Sequence, residues 1–202
     1  MKNIVDKAKK LFQDRVKKSK GDLGNVLSVN KFGDDPFGLL RHVPEVERWA
    51  LYLCKKHPSA DKEAVLLGVW LHDIGHYPVS ASIDHAARSA EIAKKFFQRE
   101  KYPKVKMEKA LHAIRAHRCK DVLPETIEAK IVACSDSASH ITDFMYMDIA
   151  CVDKAKKQPF RAYGKMARDY RDIAAFPEVK KMLTPLHRAW EKVIKEYEKI
   201  DL

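Results

Sequence analysis

The chain has 202 residues, of which 46% are hydrophobic and 33% are charged, and its formal net charge is +11 at pH 7. This composition is typical of a soluble globular protein and argues against a disordered one, and the length suits a single domain with a sizeable core. No apolar run of about 18 residues occurs and the first residues do not resemble a secretory signal. We therefore expect a cytoplasmic protein that does not associate with membranes.

The positive charge lies mainly at the two ends of the chain, in residues 1–20 and after Lys154. Such an excess can attract nucleic acid, or it can steer small polyanions such as nucleotides toward a cleft. Aromatic residues do not interleave with the basic ones as a stacking groove would require, so nucleic-acid binding is not favoured. Solvated faces of amphipathic helices are the simpler explanation.

The four cysteines are widely spaced and form no Cys-x-x-Cys pair, which favours reduced, structural thiols. They are Cys54, Cys119, Cys134 and Cys151.

Apolar residues recur at helical spacing along the chain, and almost nothing alternates as a strand does. A basic helix is expected over residues 1–20, with apolar positions Val5, Ala8, Phe12 and Val16. Asp35-Pro36 is typical of a helix start, and the helix that follows runs through His42 and stops before His57-Pro58. Asp61 is the predicted N-cap of a third helix, which leads into His72.

Five further helices are expected downstream. Asp84-His85 begins one, and another follows Tyr102-Pro103, includes Val105 and ends near His117. Pro124 is taken as the start of a long helix that reaches about Tyr146. The segment from Phe160 to Ile200 contains two helices, separated near Phe176-Pro177. These elements predict an all-α fold, a helical bundle forming a single domain over residues 1–202. The bundle has a central part of about 36–150, with an N-terminal basic helix at 1–20 and a C-terminal helical extension at 154–202.

An adjacent His and Asp, His72 and Asp73, end the apolar helical pattern of residues 66–71. Other candidate ligands lie in separate predicted helices, namely His42, His85, His117 and Asp136. Imidazole and carboxylate together suit Mn, Fe, Co, Ni or Zn, whereas Mg alone prefers oxygen ligands. The absence of Cys from this set argues against a closed structural zinc site.

Two metal ions can be arranged on these residues. His42, His72, Asp73 and Asp136 would hold the first ion, and His85 and His117 would hold a second, with Asp73 as the bridge. A divalent ion lowers the pKa of bound water, so a hydroxide between the two ions would be the expected nucleophile.

The pattern resembles the HD-domain superfamily of metal-dependent phosphohydrolases over roughly residues 36–150. The matching segments are 42–46, 71–76, 84–90, 112–118 and 128–136. The resemblance implies an all-α fold, metal ligation by His42, His72, Asp73 and Asp136, and a second set with His85 and His117. It also implies hydrolysis of a phosphate ester or anhydride, most often in a nucleotide.

Two positions depart from the common pattern of that superfamily. Many relatives have Lys where this chain has His76, and a His can instead act as a general acid or an additional ligand, so His76 joins Asp73 as a catalytic candidate. Pro44 follows His42 closely, and we expect it in the first turn of its helix. His112 is expected on a different face from His117, while His140 follows Asp136 by one turn and faces the same way.

Substrate contacts are predicted from basic residues near the proposed ligands in sequence. Arg118 is the preferred phosphate contact, with Arg115 and Arg88 as further candidates. The expected partner is a small phosphorylated substrate, and a homodimer stays open because the C-terminal helices could pack on the core, cap the site or join two copies. Two alternative functions also stay open: a di-iron HD-type oxygenase, and a basic RNA- or protein-binding module with a structural or vestigial metal site.

Overall fold

The computed structural model describes residues 3–18, 38–77 and 84–200, and this part of the chain contains nine α-helices, two short 3₁₀ segments and no strand. The all-α prediction is therefore confirmed. The 3₁₀ segments are Ile74–His76 and Ile173–Ala175. The helices are α1 (Ile4–Lys18), α2 (Leu39–Lys56), α3 (Lys62–Leu71), α4 (His85–Arg99), α5 (Lys104–Ala116), α6 (Ile127–Thr142), α7 (Met145–Ala155), α8 (Ala162–Asp172) and α9 (Pro177–Lys199).

Helix α6 is the centre of the fold. It is buried along almost its whole length and packs against α2, α3, α5, α8 and α9. A helix that is covered on all sides needs small residues where its neighbours approach closely. Where α3 approaches α6, the small residue is Gly68. A Cβ built there would lie 2.9 Å from Val132 Cγ2 on α6 and 3.2 Å from the Ala113 Cβ on α5. Helices α3, α5 and α6 therefore meet closely at this point.

Side-chain caps fix the starts of three helices that later contribute to the site. Asp61 accepts a hydrogen bond from the Ala64 amide at the start of α3, and Asp84 accepts one from the Ala86 amide, at 2.8 Å, at the start of α4. Both caps were predicted from the sequence. At the start of α6, Thr126 accepts from the Ala129 amide.

The predicted bounds of the long helix near residue 136 are wrong at both ends. The helix begins at Ile127 rather than Pro124, because Thr126 satisfies the first free amides. It ends at Thr142 rather than near Tyr146, because Asp143 has an extended backbone and a separate helix, α7, begins at Met145.

Pro44 lies in the second turn of its helix rather than in the first turn, where it was expected. Helix α2 starts at Leu39 after Gly38, which has a φ of 63°, so His42 is the fourth helical residue and Pro44 the sixth. A proline there has no amide hydrogen for the i→i−4 bond, and the helix loses one hydrogen bond in its second turn. The predicted start at Asp35-Pro36 lies outside the described residues. Val105 lies in α5 as expected, and its side chain is 70% exposed.

The two C-terminal helices predicted between Phe160 and Ile200 are confirmed as α8 and α9, with the break at Ile173–Phe176. Both pack on α6, and α7 packs on α8 and α9. All four cysteines are free thiols, as expected. In the described residues we find no helix with both the length and the apolar character to cross a bilayer.

The turn after α3 approaches the start of α4 so closely that only glycine fits. A Cβ on Gly75 would lie 2.3 Å from the His85 carbonyl oxygen and 2.5 Å from the Ser89 amide nitrogen, both backbone atoms. We expect Gly75→Ala to separate the turn from α4 and to destabilise the protein by about 1–3 kcal/mol in thermal or denaturant unfolding.

The matched control is Gly164→Ala in α8, where the added Cβ meets only the Arg168 guanidinium at 3.5 Å. This substitution is expected to leave stability unchanged or raise it by up to about 1 kcal/mol, because alanine is the better helix former. Equal unfolding free energies for the two variants would contradict the close approach at Gly75.

Candidate metal centre

The ends of several helices bring the predicted ligands together. His72 and His117 follow the last residues of α3 and α5, and His85 is the first residue of α4. His42 comes from the first turn of α2, and Asp136 comes from the middle of α6. Asp73 follows His72 in the turn after α3. Two clusters result, His42 with His72 and Asp136, and Asp73 with His85 and His117.

The first cluster is fully buried. His42 Nε2 lies 3.0 Å from Asp136 Oδ1, and His72 Nε2 lies 3.6 Å from the same oxygen. The Oδ2 atom of Asp73 faces this cluster, at 3.4 Å from His72 Nε2 and 3.7 Å from His42 Nε2. Two nitrogens and two oxygens therefore converge on one point.

The other oxygen of Asp73 faces the second cluster. Its Oδ1 atom lies 3.3 Å from His85 Nε2, 3.5 Å from His117 Nε2 and 3.6 Å from His76 Nε2. The His85 and His117 Nε2 atoms are 3.3 Å apart, and the His76 ring stacks on the His85 ring with centroids 4.0 Å apart. The Asp73 carboxylate thus lies between two groups of imidazoles, with one oxygen toward each.

Hydrogen bonds fix which nitrogen each ring presents. His72 Nδ1 donates to the Val69 carbonyl and His117 Nδ1 donates to the Ile114 carbonyl, each at 2.7 Å. His42 Nδ1 lies 3.1 Å from Ser139 Oγ, whose own hydroxyl donates to the Asp136 carbonyl. Because Nδ1 carries the hydrogen in this arrangement, the Nε2 lone pair is free to bind a metal ion.

Three atoms in the centre are buried without a hydrogen-bond partner among the described residues, and they are His42 Nε2, His72 Nε2 and Asp73 Oδ1. Unpartnered buried polar atoms are costly, and all three point into the clusters. Ligand atoms held by one ion at about 2.1 Å lie roughly 3.0–3.5 Å apart, which matches the separations above. The donor set therefore fits a divalent metal ion.

Charge is strongly coupled across the centre. Burial raises the pKa of the Asp73 carboxyl, but the rings of His72 and His76 outweigh that effect and hold it well below its ordinary value. Asp136 is held low in the same way, by His140 and His42. Burial also lowers the pKa of His72, yet Asp73 and Asp136 more than compensate and raise it to about 9.

Two other rings of the centre, His42 and His76, differ from His72 in the direction of their pKa shift. Burial lowers the pKa of His42 and of His76 from the ordinary histidine value. Both rings are therefore neutral near pH 7. A neutral His76 beside Asp73 can accept or return a proton, which is consistent with the catalytic role predicted for it.

Beyond the ligands, a second layer of polar groups joins α6 to α8. His140 lies one turn after Asp136, with Nε2 at 3.5 Å from Asp136 Oδ1, and its ring stacks on His42. Lys165 Nζ lies 2.8 Å from His140 Nδ1 and 2.7 Å from Asp169 Oδ1. The Tyr146 hydroxyl donates to Asp169 Oδ2. The sequence indicated His140 through its spacing, but the partners on α8 carried no signal.

An open cleft of about 710 Å³ leads to the centre. Arg118 lines it and forms an ion pair with Asp84. Arg115 pairs instead with Asp121 and is not among the lining residues, and neither is Arg88. Their role in substrate binding stays a prediction. The full lining also contains basic residues that sequence reasoning missed: Lys120, Lys165, Arg168 and Arg171.

His112 lies away from the cleft, where its Nε2 accepts a hydrogen bond from the Glu125 amide. It contributes to the connection between α5 and α6 and not to the ligand clusters.

The sequence pattern that defines the HD domain matches residues 39–140, about half of the chain. The chain therefore belongs to the HD-domain family. The matched segment contains both clusters. It also ends at His140, so α7, α8 and α9 lie outside the part that defines the HD domain.

One curated protein with significant similarity is a tRNA (cytidine(56)-2'-O)-methyltransferase from Picrophilus torridus. It is 34% identical over 106 residues, which cover 49% of this chain and 30% of the relative. The HD-domain protein thus spans less than a third of that relative's length. No solved structure matched with significance.

The raised pKa of His72 makes metal affinity depend on pH. The shift stabilises the chelator-treated fold below about pH 6.5, and that stabilisation is lost as pH rises through about 9. A metal ion competes with this proton, so its affinity has the opposite dependence. We expect the association constant for Mn²⁺ to rise about tenfold per pH unit between roughly pH 7 and 9, measured by calorimetry after chelation.

His42 does not add to this dependence, because its pKa is lowered. The same titration in two buffers of different ionisation enthalpy should report release of about one proton per ion bound at the first cluster at neutral pH. A Mn²⁺ affinity that is flat between about pH 7 and 9 would contradict a charged His72.

Proposed function

We propose that this protein is a metal-dependent phosphohydrolase that cleaves a phosphate ester or anhydride, with a nucleotide as the expected substrate class. The observation that supports this most is the position of Asp73, whose two oxygens face separate imidazole clusters. A carboxylate in that position can bridge two ions. Family membership supports the same reaction class.

The chain's own residues would hold the ions and handle protons. His42, His72 and Asp136 would bind the first ion, His85 and His117 the second, and Asp73 both. Bound divalent ions neutralise charge on phosphoryl oxygens and lower the pKa of a coordinated water. His76, neutral and 3.6 Å from Asp73, is placed to move a proton at its Nε2 atom. Arg118 lines the cleft and can donate to a phosphate oxygen.

The first test is a panel of nucleoside mono-, di- and triphosphates, cyclic nucleotides and dinucleoside polyphosphates, each supplied with Mn, Co, Fe, Ni, Zn or Mg. Metal-dependent release of phosphate or nucleoside from one class is the expected result. No release with any ion, from a protein shown to bind metal, would contradict the proposal. Iron-dependent oxygen consumption with an organic substrate would then favour the oxygenase.

Replacing the bridging carboxylate should affect both ions together. We expect Asp73→Asn to lower turnover by about a thousandfold and to reduce bound metal, because an amide cannot bridge two cations. Metal content is measured by elemental analysis and turnover by phosphate release. The matched control is Asp14→Asn on α1, whose half-exposed carboxylate pairs with Lys10 among the described residues. Full turnover in purified Asp73→Asn would show that the site is assigned wrongly.

A second candidate function is RNA binding. Two observations favour it: the relative named as a tRNA methyltransferase, and the net charge of +11. The measurement is tRNA binding by fluorescence anisotropy at several salt concentrations. Binding that weakens steeply with salt and survives Asp73→Asn, together with no hydrolysis by the parent protein, would support an RNA-binding module in place of the enzyme.

A further inference from the structure

Helix α8 forms one wall of the cleft. Its lining residues Lys165, Arg168, Asp169 and Asp172 follow at i, i+3, i+4 and i+7, which is one helical face. The same cleft is also lined by Asp73 and Asp136 of the metal centre. Since α8 lies outside the segment that matches the HD domain, this wall is a feature of the chain's own C-terminal part.

Most cations of the cleft are neutralised by a neighbouring acid. Lys165 Nζ lies 2.7 Å from Asp169 Oδ1, and Arg171 lies 2.9 Å from Asp172 Oδ1. Arg118 is paired with Asp84, as described above. The positive charge of these residues is thus already compensated within the protein.

Arg168 and Lys120 are different. Both line the cleft and are exposed, and neither side chain has a hydrogen bond or an ion pair with any of the described residues. Arg168 comes from α8, and Lys120 comes from the connection between α5 and α6. The two cations therefore lie on different walls of one cleft, and their charge is uncompensated there.

Both walls are fixed relative to the metal centre. Arg168 immediately precedes Asp169, which is 2% exposed and held by Lys165 and the Tyr146 hydroxyl. On the other wall, Cys119 adopts a φ of 49° and ends the turn after α5, only two residues beyond His117. Binding an anion between them therefore requires ordering of the two side chains but not of the walls that carry them.

We propose that Arg168 and Lys120 form a second anion subsite, so that the substrate carries at least one further phosphate besides the group held at the metal centre. The substrate class is then a phosphoanhydride chain, as in pyrophosphate, tripolyphosphate or a nucleoside di- or triphosphate. Guanidinium and ammonium groups are the usual partners of phosphate oxygens, and a cleft of about 710 Å³ is large enough for such a chain. That one phosphate reacts at the metal centre rests on the proposed function. The existence of the subsite itself is tested by binding alone.

The test is calorimetric titration of the full-length, Mn²⁺-loaded protein with inorganic phosphate, pyrophosphate, tripolyphosphate and ATP, with Mn²⁺ in excess of every ligand. We expect Arg168→Ala and Lys120→Ala each to weaken pyrophosphate and tripolyphosphate binding about tenfold, but phosphate binding less than about twofold. Arg168→Lys should retain part of the affinity because it keeps the charge.

The matched control is Arg188→Ala, an exposed arginine of α9 that does not line the cleft, and it should bind all four ligands as the parent does. Equal losses for phosphate and pyrophosphate in Arg168→Ala and Lys120→Ala, or no loss for pyrophosphate in either, would overturn the subsite. Tight ATP binding with weak tripolyphosphate binding supports a nucleotide as the source of the chain, and the reverse supports an inorganic polyphosphate.

Failure of the subsite and failure of the proposed function give different results. If no phosphate ester or anhydride is cleaved but pyrophosphate binding still depends on Arg168, the subsite stands and the hydrolase does not. If hydrolysis is found and Arg168→Ala affects mono- and triphosphate turnover equally, the hydrolase stands and the subsite is wrong.

Discussion

The structure depends on two carboxylates, Asp73 and Asp136, that are buried among histidine rings. Burying an ionised carboxylate without compensation is among the most costly changes that a fold can include. Here the Nε2 atoms of six imidazoles lie within 3.7 Å of one or both carboxylates, and these rings together compensate the buried charge. No single helix could supply this set. The packing of α2 to α6 brings the rings together, and they offset the free-energy cost of burying the two carboxylates.

Local backbone chemistry then determines which atoms of the rings point inward. Two of the rings follow helix C-termini, where carbonyls lack helical partners, and each uses Nδ1 to satisfy a carbonyl three residues earlier. The same hydrogen bond that completes the helix end therefore orients Nε2 toward the centre. His42 reaches the same result by another route, through Ser139 on α6.

Much of this centre could be predicted from the sequence, because its residues carry local signals. The pair His72-Asp73 ends an apolar helix, and an aspartate such as Asp136 in a buried helix needs a partner. The substrate contacts could be predicted less well, because closeness to a ligand in the sequence does not tell which side of a helix a side chain faces. Arg115 is two residues before His117 and so points to a different side of α5, where it meets Asp121. Lys165 and Arg168 reach the cleft only through the tertiary packing of α8 on α6.

The packing of α8 on α6 also bears on how the two parts of the chain divide their roles. The segment that matches the HD domain contains the ligand clusters, whereas α8 adds a cleft wall and connects to them through Lys165, Asp169 and His140. His140 contacts both sides, since it stacks on His42 and lies 3.5 Å from Asp136 and from Asp169. A change in α8 can therefore alter the shape and charge of the cleft without replacing a ligand. For this reason we expect α8 to contribute to substrate selection together with Lys120 of the preceding part, while all the proposed metal ligands lie before residue 140.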